Sequence, residues 1–290
     1  MDFDLSRSQR DRLDRLGQLV DEAGGEADIE QLDDVLLSSD LLRGATALDR
    51  FLIAEEIARR GVSSGFGLYG LVGDLLPDGL PLGRIAITES HRGGPVRFAD
   101  SASMVVILDD ERAYLHIPDF AQVEPVEAVF GYPFAHVMPT GQGRLLPHGA
   151  GDRIRARWRL TMVAEISGNA RSAIDTTAGH LKSRVQFSRP LASFQALRHR
   201  LADAAVSAEA TSWLGREAAF HEDPRSILRA AWYASDTAAS LVPELVQMCG
   251  ARSFTLEFGL HLFTMRMNCL RLELGGIDRL GQELTSPMAK

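Results

Sequence analysis

Four segments that follow Asp152 repeat apolar residues at helical spacing, and this pattern constrains the fold more than any other feature of the chain. Leu160, Val163, Ala170, Ile174, Thr177 and Leu181 share one face of the first segment, which the string SRP at Ser188–Pro190 breaks. Leu197, Leu201, Ala205, Ala208 and Ser212 form a second stripe, thick with alanine. Asp223 followed by Pro224 has the form of an N-cap with proline in the first turn. It opens a third stripe, Ile227, Ala231, Ala234, Ala238 and Leu241, which runs toward Pro243. A fourth helix is expected from about Leu260 to Leu274. A period near 3.6 puts each set on one face, and small residues on that face let helix axes approach closely. The expectation is an antiparallel four-helix bundle over residues 151–290.

The rest of the chain has two other textures. Residues 1–80 read as helical, with Leu5, Leu13, Leu16, Leu19 and Val20 in one stripe and Leu48, Leu52, Ile53 and Ile57 in another that Gly61 stops. The glycine-rich GFGLYGLVG that follows reads as a helix start or a loop. Residues 81–150 change to short runs, RIAIT, SMVVIL, RAYLHI and HVMPT, separated by Gly, Asp and Pro. The predicted fold is mainly α with a small β insert: N-terminal helices, a reduced middle β domain, and the bundle.

Composition removes several classes of function. The 290 residues carry a net charge of −8, with no segment rich in both basic and aromatic residues, which argues against a nucleic-acid surface. Cys249 and Cys269 fit neither a zinc spacing nor a disulfide framework. The N-terminus is charged from the start, unlike a signal peptide, and no apolar run reaches the roughly 18 residues of a membrane span. A cytoplasmic protein without a membrane span or a metal is expected.

Chemistry concentrates in SRVQFSRPLASFQ, between the first two bundle helices. Arg184 offers a planar fork suited to pyrophosphate oxygens. Phe187 offers a ring face, and Gln186 and Gln195 offer amides. The same residues also fit a plainer role, with Arg184 capping a helix C-terminus and Phe187 filling a corner.

The order of elements and these motifs resemble the acyl-CoA dehydrogenase family, most strongly over residues 157–276. That family carries Arg-x-x-Phe-Gly with a glutamine eleven residues after the arginine; here Arg184, Phe187 and Gln195 match, and Ser188 stands in place of the glycine. Its Gln-x-x-Gly-Gly-x-Gly-Phe element reads QMCGARSF here, keeping Gln247, Gly250 and Phe254 while Ala251 and Ser253 replace glycines. The resemblance implies that Arg184, Gln186, Phe187, Gln195, Gln247 and Gly250 bind the ADP half of an FAD held by the neighbouring subunit. Arg159, nine residues before Gly168, stands at a family position near the acyl-CoA site.

Other family elements are altered. Thr88 and Glu89 remain of the flavin-ring stretch, but its Ala-Gly-Ser-Asp portion does not, and no tryptophan occurs before Trp158. One family location of the catalytic base aligns with Leu274, with Glu273 one residue away, and the other aligns with Trp158. Glu273 is thus the candidate base, or an exposed helix-end carboxylate.

This pattern resembles the shortened subunit of heteromeric α2β2 acyl-CoA dehydrogenases, some of which act on CoA thioesters of steroid side chains. It implies FAD shared across a subunit interface, a full-length catalytic partner subunit, an acyl-CoA substrate, and an electron-transferring flavoprotein as acceptor. The alternatives are a self-sufficient homo-oligomeric dehydrogenase using Glu273, and a flavin-free acyl-CoA-binding scaffold. Among lesser features, Arg92 and Arg97 are placed in a turn, Arg153, Arg155, Arg157 and Arg159 on a solvated face, His199 and Asp203 in a surface ion pair, and Cys249 in packing.

Overall fold

The computed structural model describes residues 4–23, 29–80, 83–90, 94–118, 123–138, 141 and 143–286. The chain divides into two compact units, one of residues 1–54 and 63–161, the other of residues 55–62 and 162–290.

The first unit begins with helices whose starts are written in the sequence. In α1 (Arg7–Ala23), Ser6 and Gln9 exchange hydrogen bonds, the Ser6 N–H donating to Gln9 Oε1 at 2.9 Å and the Gln9 N–H to Ser6 Oγ at 3.2 Å. In α3 (Ala47–Arg59), Thr46 and Asp49 make the same reciprocal pair at 2.9 and 3.2 Å. Each box satisfies backbone donors that a helix start would otherwise leave open. Between them α2 (Ile29–Ser38) carries Asp33, fully buried and bonded to Ser64, the Gly65 N–H and the Arg84 guanidinium. The glycine-rich stretch after Gly61 becomes the short helix α4 (Phe66–Val72), almost wholly buried.

The β part consists of two small sheets. Strands β1 (Ile85–Glu89), β3 (Met104–Asp109), β4 (Arg112–His116) and β7 (Arg144–Leu145) pair in the order β1-β3-β4-β7. The β1–β3 pair is parallel, and the others are antiparallel. Strands β2 (Val96–Arg97), β6 (Phe134–Val137) and β5 (Val123–Val126) form the second sheet in the order β2-β6-β5. Ala86, Val96, Ala99, Ala102, Val105 and Ala135 make a core of small side chains. The expected run HVMPT ends as strand at Val137, and its Pro139 and Thr140 lie outside the described residues.

Helix α5 (Ala150–Ser183) enters the second unit at Met162, and α6 (Gln195–His221), α7 (Pro224–Cys249), α8 (Leu260–Leu270) and α9 (Gly276–Thr285) follow. The stripes on α5 and α7 are buried as expected, whereas on α6 Ala205 is exposed, Leu197 and Leu201 are half-buried, and Ala204 is buried instead. Asp223 caps α7, its carboxylate accepting the Ser226 N–H at 2.8 Å. The α6–α7 connection is so short that the helices are antiparallel neighbours, with Ala204, Ala208, Ser212 and Gly215 buried on one and Ala231, Ala234 and Ala238 on the other. Thr211 and Thr237 meet between them through their hydroxyls at 3.2 Å. Two details differ from the sequence pattern. Helix α7 continues through Pro243 to Cys249, because this exposed proline loses one ladder bond without ending the helix. The fourth helix stops at Leu270, and Leu274 takes φ +56° in the turn that starts α9.

Residues 55–62 are built into this unit by close contact. A Cβ on Gly168 would strike the Glu55 carbonyl oxygen and stand 2.7 Å from the Arg59 nitrogen, so only glycine permits that helix crossing. The Glu55 carboxylate accepts from Ser167 Oγ at 2.6 Å and from Arg216 Nη2 at 2.8 Å. Arg266 donates to the Gly61 carbonyl at 2.7 Å. No described helix is long and apolar enough to cross a membrane.

Candidate functional site

Arg184 follows the last turn of α5, and its N–H still donates to the His180 carbonyl at 2.9 Å. The chain then forms a hairpin of β8 (Val185–Gln186) and β9 (Arg189–Pro190), closed by the Leu191 N–H on the Arg184 carbonyl at 2.8 Å. Phe187 and Ser188 make its two-residue turn with φ +52° and +63°. A tight hairpin of this type requires positive φ at both central residues, and neither residue here is the glycine that takes it without strain. The string SRP therefore marks a hairpin rather than a plain break between helices.

The hairpin holds its side chains outward. Phe187 is 85% exposed, and Val185, Arg184, Gln186 and Arg189 are exposed as well. Arg189 lies over the Phe194 ring at 4.1 Å, and Phe187 meets Phe194 edge-on at 6.1 Å. Phe194 is the N-cap of α6 with no side-chain cap, and Gln195 is the exposed first residue of that helix.

The QMCGARSF stretch comes to the same end of the unit. Gln247 is exposed on the last turn of α7, and Gly250 ends the helix at φ +61° and opens a 3-10 turn through Phe254. Arg252 stacks on Phe258 at 4.9 Å, and Phe258 packs edge-on against His180 at 5.4 Å. His180, one turn before Arg184, is buried at 7% exposure, and its Nδ1 has no hydrogen-bond partner. Burial lowers its pKa, and Arg252 and Arg184 lower it further. Sequence reasoning passed over His180, Arg189 and Arg252. The only signals were a histidine four residues before Arg184 and an arginine inside the QMCGARSF string.

The other candidates stand elsewhere. Glu273 is half-buried in the turn between α8 and α9, and Leu274 beside it is buried. Arg159 belongs to the first unit and is buried on α5 at 8% exposure. The alternating arginines are not a solvated face: only Arg153 is exposed, while Arg155 reaches Glu89 at 3.5 Å, Asp152 at 3.1 Å and the Asp110 carbonyl at 2.7 Å. Glu89 is 1% exposed, so this remnant of the flavin-ring stretch is occupied by an ion pair within the unit. Arg97 is buried with its guanidinium 5.1 Å from the Phe98 ring and 4.8 Å from that of Tyr132, and Arg92 lies outside the described residues. A concavity of about 830 Å³ in the first unit is lined by Asp109, Asp110, Glu111, Arg112, Leu146 and His148, an acidic rim poorly suited to phosphates. Cys249 is a buried packing residue whose thiol lies 3.6 Å from Thr177 Oγ1 and whose pKa is raised by burial.

The matched family model, acyl-CoA dehydrogenase C-terminal domain, spans residues 156–279. Those residues are similar to an acyl-CoA dehydrogenase C-terminal domain. Among curated relatives, acyl-CoA dehydrogenase FadE34 of Mycobacterium tuberculosis is 27% identical over 83% of this chain and 35% of its own length. Acyl-CoA dehydrogenase IpdE2 of Mycolicibacterium smegmatis is 35% identical over 37% of this chain and 34% of its own length. The aligned stretch thus spans about a third of each of these relatives. A chain of the ChsE4-ChsE5 complex from Mycobacterium tuberculosis superposes with a TM-score of 0.73 at 16% identity, covering 100% of both chains. Butyryl-CoA dehydrogenase from Megasphaera elsdenii superposes with a TM-score of 0.77 at 18% identity over 98% of both chains, so the fold of that enzyme extends through the first unit, beyond the matched C-terminal domain.

Proposed function

We propose that this chain is the non-catalytic subunit of an FAD-dependent acyl-CoA dehydrogenase that desaturates an acyl-CoA thioester at the α,β bond. In this reading Arg184, Gln186, Phe187, Gln195, Gln247 and Gly250 hold the ADP half of an FAD seated on a full-length partner subunit. The observation that carries it is the hairpin: two non-glycine residues in left-handed backbone present Phe187, with Arg184 and Arg189, to solvent. Such strain persists where surrounding structure or function maintains it. The solvent-facing apolar residues of the same unit, Phe254 and Leu256, add to a surface suited to a subunit interface.

The residues of this end fit the ADP half. Three arginines with no carboxylate partner among the described residues stand at this end, and two of them, Arg252 and Arg184, act on a buried imidazole whose Nδ1 is unpartnered. The remnant of the flavin-ring stretch does not fit in the same way, because Glu89 is buried in its pair with Arg155. FAD, when bound, supplies the acceptor for the hydride leaving the substrate β-carbon. The α-proton goes to a carboxylate base, which the partner provides in this reading, since Leu274 and Trp158 are buried apolar residues at the two aligned positions. A steroid side-chain thioester is the proposed substrate class, an electron-transferring flavoprotein the proposed acceptor, and the cytoplasm the proposed location.

The test is the visible spectrum and native mass of the protein produced alone and with a co-expressed full-length acyl-CoA dehydrogenase. Flavin absorbance appearing only in the complex, at about one FAD per heterodimer, is the expected result. A yellow homo-oligomer that loses turnover on Glu273→Gln would replace this reading with the self-sufficient enzyme.

A further inference from the structure

The arginines at the hairpin end differ from most other arginines of the same unit, although Arg198 and Arg225 also meet no carboxylate among the described residues. Arg171, Arg200, Arg216 and Arg229 each meet a carboxylate within the unit. Among the described residues, Arg184, Arg189 and Arg252 meet none. The rings of Phe194 and Phe258 hold Arg189 and Arg252 in position without neutralising them. His180 shares the Phe258 ring with Arg252 and feels the charges of Arg252 and Arg184; it is buried with Nδ1 unpartnered, although a buried polar atom normally has a hydrogen-bond partner. Like charges held together around an unsatisfied donor–acceptor are unfavourable without an anion.

We infer that His180 and Arg252 join Arg184 in a diphosphate-binding site, the two of them gripping the anionic bridge of a dinucleotide. This rests on the reading that the corner holds an ADP moiety, and it adds two residues to that site. The turn bearing Arg252 carries Ala251 and Ser253 on either side, so a side-chain cation provides what a less encumbered backbone would offer by its N–H groups. The groups facing His180 are Arg184 just past α5, Arg252 on the 3-10 turn after α7, and the uncharged Phe258. An arriving diphosphate offsets both guanidinium charges, so the imidazole takes a proton from solvent and donates it in a charge-assisted hydrogen bond.

The full chain is titrated with ADP by calorimetry between pH 6 and pH 8, and its histidine side chains are followed by nitrogen-15 NMR. Arg252→Gln should weaken ADP about tenfold while Arg252→Lys keeps part of the affinity. ADP should raise the titration midpoint of His180, and binding should weaken toward pH 8. Loss of ADP binding in Arg184→Gln, with Arg252→Gln and the His180 signals indifferent, would overturn this inference and leave the corner reading intact. Failure of ADP to bind the wild-type chain at millimolar concentration would overturn this inference, whereas a complex with the full-length subunit that takes up no flavin would overturn the reading beneath it. Displacement of ADP by coenzyme A and not by FAD would keep the diphosphate site and overturn its assignment to flavin.

Discussion

Two clusters in the helical unit use arginine in opposite ways. Near the middle of α5, Arg216 stacks on Trp213 at 4.9 Å and bonds the Glu55 carboxylate, which also accepts from Ser167, so its charge is answered within the fold. At the end of α5, Arg189 and Arg252 lie over aromatic rings, and they and Arg184 have no such answer among the described residues. Burying charge without a partner costs several kcal/mol, so a cluster serving stability tends to be closed. An open one at the surface leaves its charge unanswered in the folded chain and available to a ligand. In the proposed reading, the contrast separates residues that hold the fold from residues that bind a ligand.

Breaking the closed cluster should produce the largest effects. Gly168→Ala drives a methyl group into the Glu55 carbonyl and toward Ala58 Cβ at 2.8 Å, where backbone cannot give way easily. A loss of about 3 kcal/mol is expected, seen as a lowered urea midpoint at unchanged slope. Glu55→Gln leaves the partly buried Arg216 charge unanswered and should cost about 2 kcal/mol, a figure discounted for the 23% exposure of the arginine side chain. If either variant unfolds like wild type, the closed cluster is not what ties residues 55–62 to the bundle.

The open cluster should behave in reverse. Arg184→Gln should leave the urea midpoint within about 0.5 kcal/mol of wild type, as expected of an exposed side chain with no partner to lose. In the co-expressed complex it should weaken FAD about 30-fold, the loss of a bidentate charged contact, measured by flavin release on dilution. A variant that unfolds easily but holds FAD normally would make Arg184 a structural residue and erase the contrast.

The two clusters were not equally legible from the sequence. Period-3.6 stripes and the Asp223–Pro224 cap foretold α5, α6 and α7, because alanine-lined faces have few other ways to be buried. Arg184, Phe187 and Gln195 stood out as a local string, whereas His180 and Arg252 meet only because Phe258 packs between their segments. Glu55, Ser167 and Arg216 come from three separate helices, and nothing local marks a pair formed at long range. The two-residue strands β2 and β7 exist only through their partners, which is why the β part was visible as a texture and its sheet order was not. The arginine run before Arg159 looked like a solvated face because burial along α5 depends on the first unit packed around it.

Smaller effects sharpen the contrast further. Ser188→Gly relieves a side chain at φ +63° and should stabilise the chain by about 0.5–1 kcal/mol, raising Tm by about 2 °C. If the hairpin is held for function, this variant gains stability with no gain in FAD affinity, and the added turn flexibility lowers it slightly.

Acidification should reveal the open cluster most gently. His180 and His116 are both buried, and burial lowers both pKa values below the usual histidine value near 6.5. A histidine with a depressed folded pKa binds more protons when unfolded than when folded between those two values. Stability is therefore complete above about pH 6.5 and falls as pH drops from there toward the folded pKa. His116 has burial as its only cause, whereas Arg252 and Arg184 add to the depression at His180. Urea titrations at pH 7.5 and pH 5.5 should therefore draw closer together, without converging, when Arg184→Gln and Arg252→Gln are combined. Two like charges are then gone, while burial, the larger cause, still lowers both histidines. Unchanged acid sensitivity in that double variant would mean that burial alone sets His180, and that Arg184 and Arg252 do not form a single cationic site with it.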